Sequence, residues 1–141
     1  MALHYRPKIG TIVICDFNSG FRPPEMVKRR PAIVMSPRLR ARDRLCTIVP
    51  LSTTPPQRVM PYHYRLRLDE PLPRPYDNDT QWVKADMVVT VCFNRLFLPL
   101  IGTDETGRRN YDVRVVDDAD IKKIRECMLH ALGMVTLTEY L

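Results

Sequence analysis

The 141-residue chain has no apolar run near the ~20 residues needed to cross a bilayer, and its opening "MALHYRPKIG" lacks the apolar stretch of a secretion signal. Glycine is scarce, five in all, and none falls in a G-x-x-x-x-G-K-[ST] or G-x-G-x-x-G loop. An NTPase or a dinucleotide enzyme would have no backbone cradle for its phosphates. There is no G-x-S-x-G elbow, no H-E-x-x-H and no clustered His/Cys/Asp set, which sets aside α/β-hydrolases and zinc hydrolases. The four cysteines, Cys15, Cys46, Cys92 and Cys127, stand singly without a C-x-x-C pair and read as reduced core residues. What remains is a cytoplasmic protein of one domain, residues 1–141, with no cofactor and no metal. A chain of this length buries roughly 70% of the surface its unfolded form exposes and folds without disulfides.

What the chain does have is proline and unevenly spread positive charge. The net charge is +6, and from Arg22 to Arg44 eight basic residues face only Glu25 and Asp43. The rest of the chain is therefore neutral, so the excess is local. That suits either a polyanion or acidic partner at one surface, or a solvated loop.

Alternation and β-branched content predict strands at "TIVICDF" (11–17), "AIVMS" (32–36), "LCTIVPLS" (45–52), "YHYRLRL" (62–68) and "WVKADMVVTV" (82–91). The 13 prolines gather between them, in "RPP", "TTPP" and "EPLPRPY", where turns and edges tolerate them. Short strands with turn-rich connections predict a small barrel or strongly curved sheet. One helix follows, in "DDADIKKIRECMLHALG", with Asp117 and Asp118 as capping candidates, an apolar stripe through Ile121, Ile124, Met128, Leu129 and Leu132, and Gly133 as its stop. His130 on it reads as a surface or partly buried residue.

Polar residues at strand ends are the candidates for chemistry. Pro31 pushes Arg30 into an extended conformation, and an extended chain sends Lys28 and Arg30 to one side and Arg29 to the other. Ser52, Thr53 and Thr54 end a strand with three hydroxyls, either phosphate donors or ordinary turn formers. Lys84 and Asp86, two apart, leave one face of a continuous strand, either as an exposed ion pair or as part of a site.

Taken in order, "GTIVICDF", "PEMVKRRPAIVMSP", "TIVPLSTT" and "WVKADMVVTVCFNRL" resemble the successive motifs of the PemK/MazF toxins of bacterial toxin-antitoxin systems. The resemblance implies a mainly β, plasmid-maintenance-toxin fold: an SH3-like small barrel with a C-terminal helix, working as a homodimer. It also implies metal-independent, sequence-selective cleavage of single-stranded RNA, neutralised by a cognate acidic antitoxin. Arg30 matches the family's arginine before proline, Ser52 its strand-end hydroxyl, and Lys84 with Asp86 an R-x-D pair regarded as catalytic in some members. Glu25 and Lys28 fall in the variable charged loop. A histidine that certain members carry in that loop has no counterpart, and Met87 stands where glutamine usually follows the aspartate.

On this reading Arg30 stabilises charge on the phosphorane, Asp86 or Glu25 accepts the 2′-hydroxyl proton, and Lys84 serves the departing oxygen. Lys28, Arg29, Thr53, Thr54 and Arg58 would contact RNA, with Tyr62, Tyr76 or Trp82 as stacking surfaces, although a lone tryptophan is more often a core residue. A rival class of the same general fold inhibits DNA gyrase without cutting RNA. A third reading is a binding module that has lost activity.

Overall fold

The computed structural model describes residues 2–141. Nine strands precede one α-helix: β1 (Ile12–Asp16), β2 (Arg29–Val34), β3 (Leu45–Ser52), β4 (His63–Arg67), β5 (Thr80–Lys84), β6 (Val89–Cys92), β7 (Leu96–Phe97), β8 (Leu100–Thr103), β9 (Arg109–Tyr111) and α1 (Asp118–Ala131). Seven of the strands form one antiparallel sheet in the order β4-β5-β3-β2-β1-β7, with β6 also on β3; β8 and β9 make a separate hairpin. The architecture is the expected one, mainly β with a C-terminal helix.

Both faces of this sheet are buried, which is why its central strands read as nearly unbroken apolar runs. Ile12, Ile33, Val49, Leu51, Leu66 and Val83 face one core, which Ile124 and Cys127 of α1 complete. Val13, Cys15, Phe17, Ala32, Val34, Ile48 and Leu96 face the other. Burial pushes the Cys15 thiol up to about 12 and those of Cys46 and Cys127 to about 11, so these cysteines are inert core groups rather than nucleophiles.

The helix follows its sequence signals closely. The Asp117 side chain accepts from the Asp120 N–H at 2.8 Å, and Gly133 takes φ +73° just past the end. Its stripe is only partly covered: Ile124 is fully buried, whereas Leu132 is 61% exposed. Gly10, at φ +90°, lies where an added Cβ would come within 3.0 Å of Ile121 Cδ1, so the turn into β1 and the helix share a space that only glycine leaves open.

Two strand expectations are corrected. β2 starts at Arg29 rather than Ala32, because Arg29 and Arg30 pair with Asp16 and Cys15 of β1. Its ladder with β3 begins only at Ala32, so Pro31, which has no N–H, lies where β2 has one neighbour. The expected continuous strand 82–91 is broken by a 3-10 turn, Ala85–Met87. Between Leu51↔Val83 and Ile48↔Val89, three steps along β3 are matched by six along the partner, so β5 and β6 share one edge of β3 with an insertion between them.

Because Ile124 is the helix residue sunk deepest into the sheet core, Ile124→Ala is expected to cost roughly 2–5 kcal/mol. Urea unfolding followed by circular dichroism measures it; a loss under about 1 kcal/mol would mean that α1 merely lies on the surface.

Candidate active site

The basic run is organised by the return from β1 to β2. Phe17 N–H donates to the Lys28 carbonyl at 2.9 Å and closes the excursion between them. Inside it Phe17 and Phe21 meet edge to face at 5.1 Å, and Arg95, 4.9 Å from the Phe21 ring centre, donates to the Asp16 and Ser19 carbonyls. Lys28 has φ +71°, so the extended chain begins only after it. The expectation that Lys28 and Arg30 share one side of a strand therefore fails; a left-handed residue breaks the two-residue alternation.

From Arg29 onward the alternation holds. Arg29 has the parity of Pro31 and Ile33, toward the helix-side core; Arg30 has that of Ala32 and Val34, toward the opposite face. Arg29 is engaged within the protein, 4.5 Å from the Phe97 ring centre and 3.8 Å from the Asp16 carboxylate. Arg30 differs. Its Nε donates to the Val27 carbonyl at 3.1 Å, and among the described residues its terminal nitrogens have no hydrogen bond and no ion pair. A half-buried guanidinium steered by one bond, with the fork left over, is ready for an anion.

Other predicted residues fall on the same face. The β2–β3 register, continued by two residues, brings Arg30 alongside Ser52, and Ser52 lies opposite Trp82, which lies opposite Arg65. Lys84 has the parity of Trp82 and lies opposite His63. Ser52 is buried, and its Oγ accepts from the Thr54 N–H at 3.2 Å, so it shapes the turn while its hydroxyl proton stays available. Thr53 is exposed and lines a groove with Arg65 and half-buried Trp82; Thr54 and Arg58 are exposed farther along the loop.

Asp86 does not leave the face of a strand as expected, because it sits on the inserted 3-10 turn. No ion pair within 4 Å joins it to Lys84 among the described residues. The turn instead directs Asp86 into a small cleft of about 210 Å³ that Glu25, Phe21, Met26 and Met87 also line. The two carboxylates singled out from the sequence thus line one cleft, although 61 residues separate them in the chain. They are not equivalent: Glu25 already accepts the Arg22 N–H at 2.6 Å, and Asp86 accepts no hydrogen bond among the described residues.

One residue of this face escaped the sequence reading. His63 stands beside Lys84 across the β4–β5 ladder and accepts the Met60 N–H on Nδ1 at 3.0 Å. A neutral ring bonded this way carries its proton on Nε2 and presents it outward. Burial holds the His63 pKa below the ordinary histidine value, Lys84 lowers it further, and Asp86 pulls the other way. Burial likewise holds Lys84 below an ordinary lysine, with Asp86 opposing. The only signal in the sequence was a histidine on an alternating strand. Its neighbours depend on a register that the long β4–β5 connection conceals.

Comparison with known proteins adds four similarities. A family model described as PemK-like, MazF-like toxin of type II toxin-antitoxin system matches residues 8–131. The chain is 30% identical over 114 residues to the uncharacterized protein YifN of Escherichia coli strain K12, covering 68% of this chain and 75% of that one. Among solved structures, MazF from Deinococcus radiodurans aligns with a TM-score of 0.63 at 20% identity, covering 92% of this chain and 99% of that one. An endoribonuclease in complex with its cognate antitoxin from a mycobacterial species aligns with a TM-score of 0.59 at 23% identity, covering 92% and 97%.

The environment of His63 makes a titration testable. Its NMR midpoint is expected below the ordinary 6.5, with the proton of the neutral ring on Nε2. Linkage then has one sign: as pH falls below about 6.5 the unfolded chain takes up a proton that the folded chain refuses, so stability declines through that window and levels off below the folded midpoint. A midpoint at or above 6.5 would mean that His63 is neither partly buried nor held beside Lys84.

Proposed function

The chain belongs to the PemK-like, MazF-like toxins of type II toxin-antitoxin systems, and from that premise we propose that it is an endoribonuclease. It cuts single-stranded RNA sequence-selectively without a metal ion, acts as a homodimer, and is neutralised by an acidic antitoxin. The observation that carries this reading is Arg30: a guanidinium aimed by its Nε and otherwise unpaired among the described residues, on the sheet face that also presents Ser52 and Lys84.

In the reaction the RNA's 2′-oxygen loses its proton and attacks the adjacent phosphorus. The bond from phosphorus to the 5′-oxygen breaks, leaving a 2′,3′-cyclic phosphate and a 5′-hydroxyl that takes up a proton. Arg30 offers its fork to two phosphate oxygens as negative charge builds on the phosphorane. Lys84, more acidic than an ordinary lysine because it is partly desolvated, protonates the departing oxygen. Asp86 takes the 2′-proton, since its oxygens are unengaged, whereas Glu25 holds the loop through the Arg22 N–H. Alignment of the 2′-oxygen and charge stabilisation supply most of the rate. Ser52 holds the turn that presents Thr53, Thr54 and Arg58 to the RNA backbone.

Arg30→Ala is expected to leave the circular dichroism spectrum unchanged and to lower cleavage by roughly 100-fold or more; an unchanged rate in the folded variant removes Arg30 from the chemistry. Cleavage is expected to persist in EDTA and to vanish on a 2′-deoxy substrate, and a magnesium requirement or equal action on DNA would exclude this mechanism. Asp86→Asn is expected to slow the reaction far more than Glu25→Gln, and the reverse ranking would transfer the base to Glu25.

A further inference from the structure

We infer that the groove on the far side of β2 from Arg30 is a nucleotide subsite, which holds one base and its phosphate next to the scissile bond. The inference rests on the nuclease reading for the identity of the polyanion. The groove has a volume of about 320 Å³, at the small end of ligand sites, and Arg29, Arg74, Arg109, Tyr76, Phe97 and Tyr111 line it with no carboxylate among its walls. Three guanidiniums interleaved with three aromatic rings make the pairing of charge and stacking surface that single-stranded nucleic acid requires. A larger groove, about 500 Å³, lies between β4 and the start of α1. Asp69, Glu70, Asp117 and Asp120 line it beside Arg67 and Arg114, so it does not suit a polyanion.

The smaller groove is built in advance. Arg29 is stacked on Phe97 and braced by Asp16. The loop carrying Arg74 and Tyr76 is tied down from within: Leu72 is 2% exposed, and the fully buried Gln81 donates from Nε2 to the Tyr76 carbonyl at 3.2 Å and the Asn78 carbonyl at 3.4 Å. Arg109 makes no ion pair among the described residues, and the only one at Arg74, to Asp77 at 3.7 Å, is exposed to solvent.

Position links the groove to the chemistry. Arg29 and Arg30 are consecutive on β2, so the pleat sends one to each side of the same sheet rim. Burial pushes the Tyr76 hydroxyl's pKa up, while Arg29 and Arg30 both pull it down. An RNA strand crossing that rim places one phosphate on Arg30 and the neighbouring nucleotide in the groove, with its base on Tyr76 or Tyr111 and its phosphate between Arg29 and Arg109. The groove would then set which base flanks the cut.

The test measures binding of a fluorescent 2′-O-methyl RNA decamer, which cannot be cleaved, together with cleavage of a long RNA. The double variant Arg74→Ala/Arg109→Ala is expected to bind the decamer at least 10-fold more weakly and to lower its salt slope by about 0.7, the loss of the groove's one phosphate contact on a single strand. Tyr76→Leu is expected to weaken binding by roughly 5- to 150-fold at unchanged salt slope, with Tyr76→Phe restoring it. Unaltered decamer binding in all three variants, beside normal cleavage by the parent protein, overturns the subsite and leaves the nuclease reading standing. Weakened decamer binding in a parent protein that releases no new RNA ends supports the subsite and removes the nuclease reading. Unaltered decamer binding with loss of affinity for a poly-glutamate peptide overturns the inference in favour of an acidic peptide.

Discussion

Everything at this surface depends on the antiparallel register between β1 and β2. Five residue pairs, from Ile12↔Ile33 to Asp16↔Arg29, tie the two strands together. They force two adjacent arginines into extended backbone at the rim of a rigid sheet. The apolar half of the same strand lies in both cores, so the register cannot slip by one residue without turning Ile33 and Val34 onto the wrong faces. Burial at one end of β2 thereby sets the direction of charge at the other.

Electrostatics then separates the two cations. Arg29 has an aromatic ring and a carboxylate for company; Arg30 has one carbonyl at Nε. Leaving a half-buried guanidinium without a counter-ion is unfavourable for folding, and the fold tolerates it because the fork remains partly solvated. A phosphate arriving there replaces water with a bidentate partner. The insertion between β5 and β6 acts in the same direction. It lifts Asp86 off the strand, so that no ion pair within 4 Å joins it to Lys84 among the described residues, although its charge still reaches that lysine.

Much of the fold was legible because it is written in local periodicity. β3 matches its expected span residue for residue, and the helix begins and ends at its capping aspartate and glycine. The misses share a cause. The break in 82–91 is unmarked because Ala-Asp-Met carries no glycine or proline, and only the pairing of both flanks with β3 forces the extra residues out. Lys28 is a similar case, since a left-handed lysine has no mark in sequence. The β8–β9 hairpin was missed because its short strands lack an alternating apolar face.

The sequence by itself determined where the apolar central strands lie, where the helix is capped, that positive charge concentrates between Arg22 and Arg44, and that Arg30 precedes a proline. Each of these follows from a residue and its near neighbours. Tertiary structure alone decided that Asp86 and Glu25 share a cleft, that His63 stands beside Lys84, and that loop residues Arg74 and Tyr76 close a groove over Arg29. In a β protein the contacts that build a site are made across strands joined by long loops. With a side-chain period of two, one inserted residue reverses every face, so such contacts exist only once the register is set.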